Sequence, residues 1–331
     1  MNVLQPHFSK KEIKNIKNEL GKILETGWIG QGPKVQELEE KWAKFTGAKY
    51  AVATNSCTSA LDVACRIIEL PNPVKVSAFT FVSSALAPLN AGYDVEFVDI
   101  DDSLCTPKAD IQVMYAGNQS GEGTIYDMAH SGGVKHKGVI SCWSFHAVKN
   151  LPAGDGGMLT MNSKTLYEKA KAIAWCGIDK STYQRSGKKY NWDYDIAEVG
   201  LKAHMNDITA VIALEKLKSL EKENKYRAKL ASYYDKYLPP WFERPFRSET
   251  WHLYTIMVPD RNGLIDHLAE YGIGTGLHYK PLTHYEIFGE QKELPNTERA
   301  FKEIISLPMH LGVSKKDVKE ICSLINKYYT E

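Results

Sequence analysis

No apolar run in the 331 residues approaches the ~20 that a bilayer-spanning helix needs. An excess of either charge is missing too: 41 Lys and Arg stand against 40 Asp and Glu, a formal net charge of +1. Such a chain has no general field to draw in nucleic acid, so neither a membrane nor a nucleic-acid partner is expected. Six cysteines (Cys57, Cys65, Cys105, Cys142, Cys176, Cys322) are scattered without one C-x-x-C pair. That argues against a zinc site or a disulfide framework, and for reduced thiols in the cytoplasm. The first residues, Met1-Asn2-Val3-Leu4-Gln5-Pro6-His7, lack the charged-then-apolar pattern of an export signal. What remains is an ordinary globular composition, 43% hydrophobic and 24% charged. The length suits about two domains of roughly 150 residues each.

Helix and strand signals alternate along the first two-thirds. Ser9-Lys10-Lys11-Glu12 reads as a capping box, and Ile13, Ile16 and Leu20 share one face of a helix ending near Gly27. Val35, Leu38, Trp42 and Phe45 have helical spacing between Lys34 and Thr46. Strand-like runs follow at Tyr50–Thr54, Lys75–Ala78, Val95–Val98, Ile111–Tyr115, Thr124–Asp127, Val139–Phe145 and Met158–Met161. Alternation of this kind implies a mainly parallel sheet covered on both faces. The rest changes character. One helix is expected from Asn206 through Leu217 to Tyr237, its Lys/Glu-rich part being a solvated charged face. A break at Pro239-Pro240, strands at His252–Val258 and Gly274–Tyr279, and helices at Gly263–Tyr271 and Lys315–Tyr329 complete a smaller α+β domain. The expected division is 1–226 and 227–331.

Three segments carry chemistry. Ala51-Val52-Ala53-Thr54 leads through Asn55-Ser56-Cys57-Thr58-Ser59 into a helix, whose free N–H groups suit a phosphate; simple N-capping explains the same residues. In Thr124-Ile125-Tyr126-Asp127-Met128-Ala129-His130 a carboxylate stands at the C-terminal end of a parallel strand, where such sheets bind ligands; it also suits a turn cap. In Ser144-Phe145-His146-Ala147-Val148-Lys149-Asn150-Leu151-Pro152-Ala153-Gly154-Asp155-Gly156-Gly157 a strand runs to a lysine and a glycine-rich turn. A lone lysine there is ordinarily a solvated one.

Together these segments resemble the DegT-type sugar-nucleotide aminotransferases, fold type I pyridoxal-phosphate enzymes. The third is similar to that family's Ser-Phe-His-x-x-Lys-Asn-Leu-x-x-Gly-Glu-Gly-Gly signature, with Asp155 in place of Glu. The second resembles its Asp-x-Ala-His/Gln motif. Gly27-Trp28-Ile29-Gly30-Gln31-Gly32-Pro33 resembles its N-terminal active-site loop, and Phe79-Thr80-Phe81 its aromatic strand end. Gly276-Leu277-His278-Tyr279-Lys280-Pro281-Leu282, Leu294-Pro295-Asn296-Thr297-Glu298 and Ser306-Leu307-Pro308 resemble its C-terminal signatures. The resemblance implies a fold type I α/β architecture with a mainly parallel central sheet and a smaller C-terminal α+β domain. It implies a homodimer that moves an amino group from glutamate to a keto sugar linked to a nucleotide. It also implies site roles. Lys149 would bind pyridoxal 5′-phosphate covalently and move protons. Asp127 would pair with the pyridine nitrogen, His130 would face the phenolic oxygen, and Phe81 would stack on the ring. Thr58, Ser59 and Ser144 would hold the phosphate, with Lys202 reaching it from the partner subunit. Trp28, Ile29 and His278 would contact the acceptor. A dehydratase of the same family carries histidine at the lysine position, and a binding protein that keeps the fold is the alternative of a different class.

The chain departs from the family pattern at three places. The loop Gly200-Leu201-Lys202-Ala203-His204-Met205 replaces Gly-Tyr-Asn/Lys-Tyr-Arg/Asn-Met. Thr283 stands after Pro-Leu where a histidine is common, with His284 next. Between Tyr115 and Thr124 only eight residues, Ala116 to Gly123, replace a whole helix with its flanking turns. At ~3.3–3.6 Å per residue they reach about 26–29 Å, enough to cross extended but not to cover the sheet. An exposed sheet face, or one covered by another subunit, is expected there.

Overall fold

The computed structural model describes residues 1–118, 121–178, 194–196, 198–245 and 248–330. Helix α1 (Lys10–Thr26) starts at the capping box: Ser9 Oγ accepts the Glu12 N–H while the Glu12 carboxylate accepts the Ser9 N–H. Gly27, in the left-handed conformation at φ 70°, ends it. Helix α2 (Pro33–Thr46) buries Val35, Leu38 and Trp42 as their spacing predicts. Then come β1 (Tyr50–Thr54), α3 (Cys57–Ile67), β2 (Val74–Ser77), α4 (Ser83–Asn90), β3 (Val95–Val98), β4 (Ile111–Val113), β5 (Ile125–Asp127), β6 (Ile140–Ser144), β7 (Gly157–Met161) and α5 (Lys164–Ala174).

The seven strands form one sheet in the order β1-β7-β6-β5-β4-β2-β3. Strand β7 runs antiparallel to β1 and β6, and every other neighbouring pair is parallel. Because side chains alternate along a strand, Val76, Ile111, Ile125 and Ile140 meet Ala60 and Leu61 of α3 on one face. Tyr126 and Trp143 point the other way, onto Leu38 and Trp42 of α2. Trp42 stands edge-on to Trp143 and Phe145, with centroids 5.4 and 4.9 Å apart. The middle of the sheet is thus covered on both faces, and all its parallel strands end at one edge.

Among the described residues, the remaining α-helices and strands are α6 (Asp207–Leu217), α7 (Leu220–Tyr237), β8 (Tyr254–Met257), α8 (Arg261–Glu270), α9 (Pro295–Glu303), β9 (Ile304–Leu307) and α10 (Lys315–Thr330). Strands β8 and β9 form a two-stranded antiparallel sheet packed with Leu230, Tyr234, Leu264 and Ile321.

Several expectations are corrected. The single helix from Asn206 to Tyr237 is two, broken at Lys218-Ser219. Nor is its charged part simply solvated. Lys216 is buried against the carboxylates of Glu12 and Glu223, and Ser219 Oγ donates to both. This tertiary cluster holds α1 against the break. The piece at Gly274–Tyr279 is no strand; it makes one bridge, Gly276 to Ser306, and the strand paired with β8 is β9. Finally, the short crossover does not leave β4 and β5 bare, although Lys75 on the neighbouring β2 is exposed. Ile111, Gln112, Val113, Ile125 and Tyr126 are all buried. Gln112 bonds Thr106 through both ends of its amide, and Gly121 and Gly123 lie flat on it. A Cβ at Gly121 would sit 2.2 Å from Gln112 Nε2, and one at Gly123 would sit 2.6 Å from Gln112 Cβ. Bare glycine backbone therefore covers what a helix would otherwise cover. Gln119 and Ser120 of this crossover lie outside the described residues.

Candidate active site

The parallel strands bring Asp127 and Ser144 to their C-terminal ends, beside the N-terminus of α3. A cavity of ≈ 330 Å³ opens there, lined by Thr58, Phe81, Asp127, His130, Ser144, Lys149, His278 and Tyr279 among others. Seven of the eleven residues singled out from sequence thus share one cavity. Beside the lining residues Ser56 and Cys57, a Cβ on Gly157 would lie 2.4 Å from the Ser56 carbonyl carbon and oxygen and 2.5 Å from the Cys57 nitrogen. Only glycine lets β7 approach the start of α3 this closely.

Burial sets the protonation of the two central groups. Lys149 is pushed down to about 8, because desolvation penalises its ammonium form more than the nearby Asp127 supports it. Burial also raises Asp127. The Ala129 N–H (3.0 Å), the Ser84 hydroxyl (2.8 Å) and Lys149 act in the opposite sense, favouring its carboxylate. Ser84 Oγ is itself 3.0 Å from Thr80 Oγ1.

The histidines are held neutral. Burial drives His130 well below its usual range, and Lys149 and His278 reinforce this. The Ala116 N–H donates to His130 Nδ1 (3.0 Å), so the ring proton sits on Nε2, which donates to Tyr279 Oη at 3.0 Å. His278 is pushed down to about 4 by burial and then by Lys149, and its Nδ1 lies 2.9 Å from Ser306 Oγ.

Four residues singled out from sequence stand outside this cavity's lining. Ser59 turns its hydroxyl to Asn55 Oδ1 (2.7 Å) and its N–H to Ser56 Oγ. Trp28 donates its indole N–H to Gln31 O, and Ile29 is half exposed beside it. Lys202 is exposed, its Nζ 3.6 Å from the Trp175 ring centroid. Sequence reasoning missed three lining or supporting groups. Ser84 is one hydroxyl among several at the start of α4. Tyr279 lay inside a quoted motif without a role. His252 sat in a run read only as a core strand.

This donor set fits pyridoxal phosphate: an amine, a carboxylate, an aromatic ring, and hydroxyls of Ser56, Thr58 and Ser144 beside the start of an eleven-residue helix. The model of the DegT/DnrJ/EryC1/StrS aminotransferase family matches residues 10–120 and 118–326, two stretches that meet at the shortened crossover. The chain belongs to that family. The spore coat polysaccharide biosynthesis protein SpsC of Bacillus subtilis is 31% identical over 372 aligned positions, covering 97% of this chain and 95% of that one. An uncharacterized protein of Methanocaldococcus jannaschii, MJ1066, is 28% identical, covering 99% and 97%. Among solved structures, PseC of Helicobacter pylori, an aminotransferase of pseudoaminic acid biosynthesis, superposes with a TM-score of 0.87 at 23% identity over 98% of each chain. A sugar aminotransferase of Streptococcus pneumoniae, Spr1654, solved in PMP and PLP forms, gives 0.86 and 0.83 at 23% identity over 99% of this chain and 98–99% of each of those. The fold is that of the pyridoxal-phosphate aminotransferases, and pyridoxal phosphate is the family's cofactor. Among the described residues no cluster of His, Cys, Asp or Glu could hold a metal ion, and no helix is long and apolar enough to cross a membrane.

Proposed function

We propose that this aminotransferase moves an amino group from glutamate to a keto sugar linked to a nucleotide. The observation that carries the reading is one cavity holding Lys149, Asp127 and the start of α3 together. Bound pyridoxal phosphate supplies an electron-withdrawing ring. Asp127 holds that ring's nitrogen protonated, since a carboxylate favours a cation beside it. Lys149 binds the cofactor through Nζ and, with a pKa of about 8, can both take and return a proton at that atom. Thr58, Ser144 and the start of α3, with Ser59 behind them, hold the phosphate. Phe81 covers the ring face and His130 stands by its hydroxyl. His278, with Trp28 and Ile29, meets the acceptor.

The working form in this reading is a cytoplasmic homodimer, with residues 1–226 and 227–331 as the two units of each chain. Six scattered cysteines without a C-x-x-C pair support the compartment. Exposed apolar side chains on α1 and its flank, Ile13, Leu24 and Ile29, support the dimer. Lys202, outside its own chain's cavity, is assigned to the partner's cofactor phosphate. Relatives support the sugar: SpsC is named for spore coat polysaccharide and PseC for pseudoaminic acid.

The test is a pair of half-reactions on purified protein. Glutamate alone should change the visible absorption of the bound cofactor, and a 3-keto or 4-keto nucleotide sugar should restore it. His278→Ala should slow the second half more than the first. A spectrum that glutamate and other common amino donors leave untouched overturns the reading in favour of the dehydratase or the binding protein.

A further inference from the structure

Asn150 follows Lys149 directly, and its side chain is buried. Its Nδ2 donates to Asn224 Oδ1 at 2.9 Å and to the Thr250 carbonyl at 2.8 Å, and its Oδ1 lies 3.0 Å from His252 Nδ1. An amide oxygen only accepts, so His252 Nδ1 carries the proton and donates. The clamp extends to the other side of the cavity. Asn224 Nδ2 donates to the Gly132 carbonyl (2.8 Å), and Thr250 Oγ1 donates to the His130 carbonyl (3.0 Å). Two stretches that each give the cavity one lining residue, 130–132 and 149–150, are thus tied to one short segment, 250–252, that leads into β8.

We propose that His252 is a positioning residue for Lys149, acting through the side chain of Asn150. The His252 ring lines the Lys149 cavity, and its centroid lies 4.4 Å from that of His130. It is 2% exposed, so water cannot replace the bond it gives Asn150. Loss of that donor leaves Oδ1 buried without the bond His252 gives it and frees the peptide after Lys149 to shift. Because the reacting atoms must stay near ~3–3.5 Å of one another, a shift of about 1 Å is felt in turnover. Separately, burial keeps His252 uncharged, as do His130, Lys149, His278 and Arg227 facing it. His252 therefore adds no charge of its own beside the Lys149 ammonium.

The inference rests on Lys149 being the residue that binds the cofactor. The experiment uses holoenzyme carrying His252→Asn, His252→Gln or His252→Phe. Asparagine can place a donor where Nδ1 stood; glutamine reaches toward the Nε2 position, and phenylalanine keeps the ring without a donor. The readouts are the pH midpoint of the cofactor's visible absorption, kcat and KM for glutamate, and the melting temperature. The Gln and Phe variants should shift the midpoint by roughly half a pH unit or more and lower kcat by about tenfold or more, with KM nearly unchanged. The Asn variant should stay within about threefold of wild type. Gln and Phe variants that keep the wild-type midpoint and kcat would overturn the proposal, as would an Asn variant that falls as far as they do. If His252→Phe does not fold, the Asn-against-Gln comparison decides alone. Borohydride trapping in the unaltered protein separates the two readings: label away from Lys149 refutes its cofactor role, whereas label on Lys149 with unmoved variants refutes only the role of His252.

Discussion

Burial acts in opposite directions on the two groups that face each other in the cavity: Lys149 loses its proton more readily than a free lysine, and Asp127 keeps its proton more readily than a free aspartate. For Lys149 this makes a stability claim. The folded pKa of about 8 lies below the unfolded value near 10.5. Between these two pH values the unfolded chain therefore binds more protons, and the lysine's contribution to stability rises with pH. Below pH 8 the full penalty of burying the ammonium applies, and above 10.5 it is gone. In cofactor-free protein, Lys149→Met should melt higher than wild type at pH 7, with the gap closing by pH 11. A gap independent of pH would show that the lysine is not desolvated. Asp127 makes a second prediction. In Asp127→Asn the Ser84 contact can survive while the charge does not. Some cofactor should remain bound, yet turnover should fall by about a hundredfold, the ~2.7 kcal/mol equivalent of two pKa units. Unchanged turnover would remove Asp127 from the reaction. Both residues were readable in sequence because Asp127 ends β5 and Lys149 stands five residues past β6, each in a motif of unusual residue types. His252 and Ser84 were not. A histidine opening the apolar run His252–Val258, or a serine among serines at 83–84, gains meaning only from a partner 102 or 43 positions away.

Among the elements, the crossover from β4 to β5 shows how a deleted helix is replaced. Gly121 lies at φ +87° on the Gln112 amide. Gly121→Ala should cost about 2 kcal/mol or more, because the methyl needs both a left-handed backbone and space that Gln112 fills. Ala116, three residues past β4, sits at φ +53° while aiming its N–H at His130 Nδ1. Here the opposite substitution should help. Ala116→Gly relieves about 1 kcal/mol of left-handed strain and should raise the melting temperature by about 2–4 °C. A loss instead would mean that the alanine methyl packs for more than its backbone costs. Most strands were legible, and β1 and β3 coincide with the expected bounds, because short β-branched runs between turn residues leave little choice. The break between α6 and α7 was not. Both helical patterns run on through Lys218-Ser219, and the break depends on Lys216 meeting Glu12, 204 positions away. The glycine cover over Gln112 was equally hidden, since chain length alone says how far a crossover reaches and not what lies beneath it.

At the scale of the whole molecule, the question is what the exposed residues near Trp28 and Lys202 serve. The crossover no longer argues for a partner subunit, because Gln112 and its neighbours are covered within the chain. Lys202 is the residue that points to a partner instead. Its ammonium lies over Trp175, outside the cavity of its own chain, while the adjacent Ala203 carbonyl accepts the Asn55 N–H at 2.7 Å. The Lys202 loop is therefore anchored beside the start of α3 yet presents its charge outward. In a two-fold dimer the same loop of each chain meets the same surface of the other. Suppose the partner's cavity is where that charge acts. A chain carrying Lys149→Ala should then be inactive but still lend a sound Lys202, and a chain carrying Lys202→Glu should be inactive but keep a sound Lys149. Each hybrid dimer regains one of two sites. Random mixing makes half the dimers hybrid, so equal mixtures should recover about a quarter of wild-type activity. Activity that stays at the level of the separate variants after subunit exchange, or a fully active monomer at assay concentration, would place Lys202 outside the reaction. A gain well above one quarter would mean that the Lys202→Glu chain was never inactive, which its own assay before mixing determines.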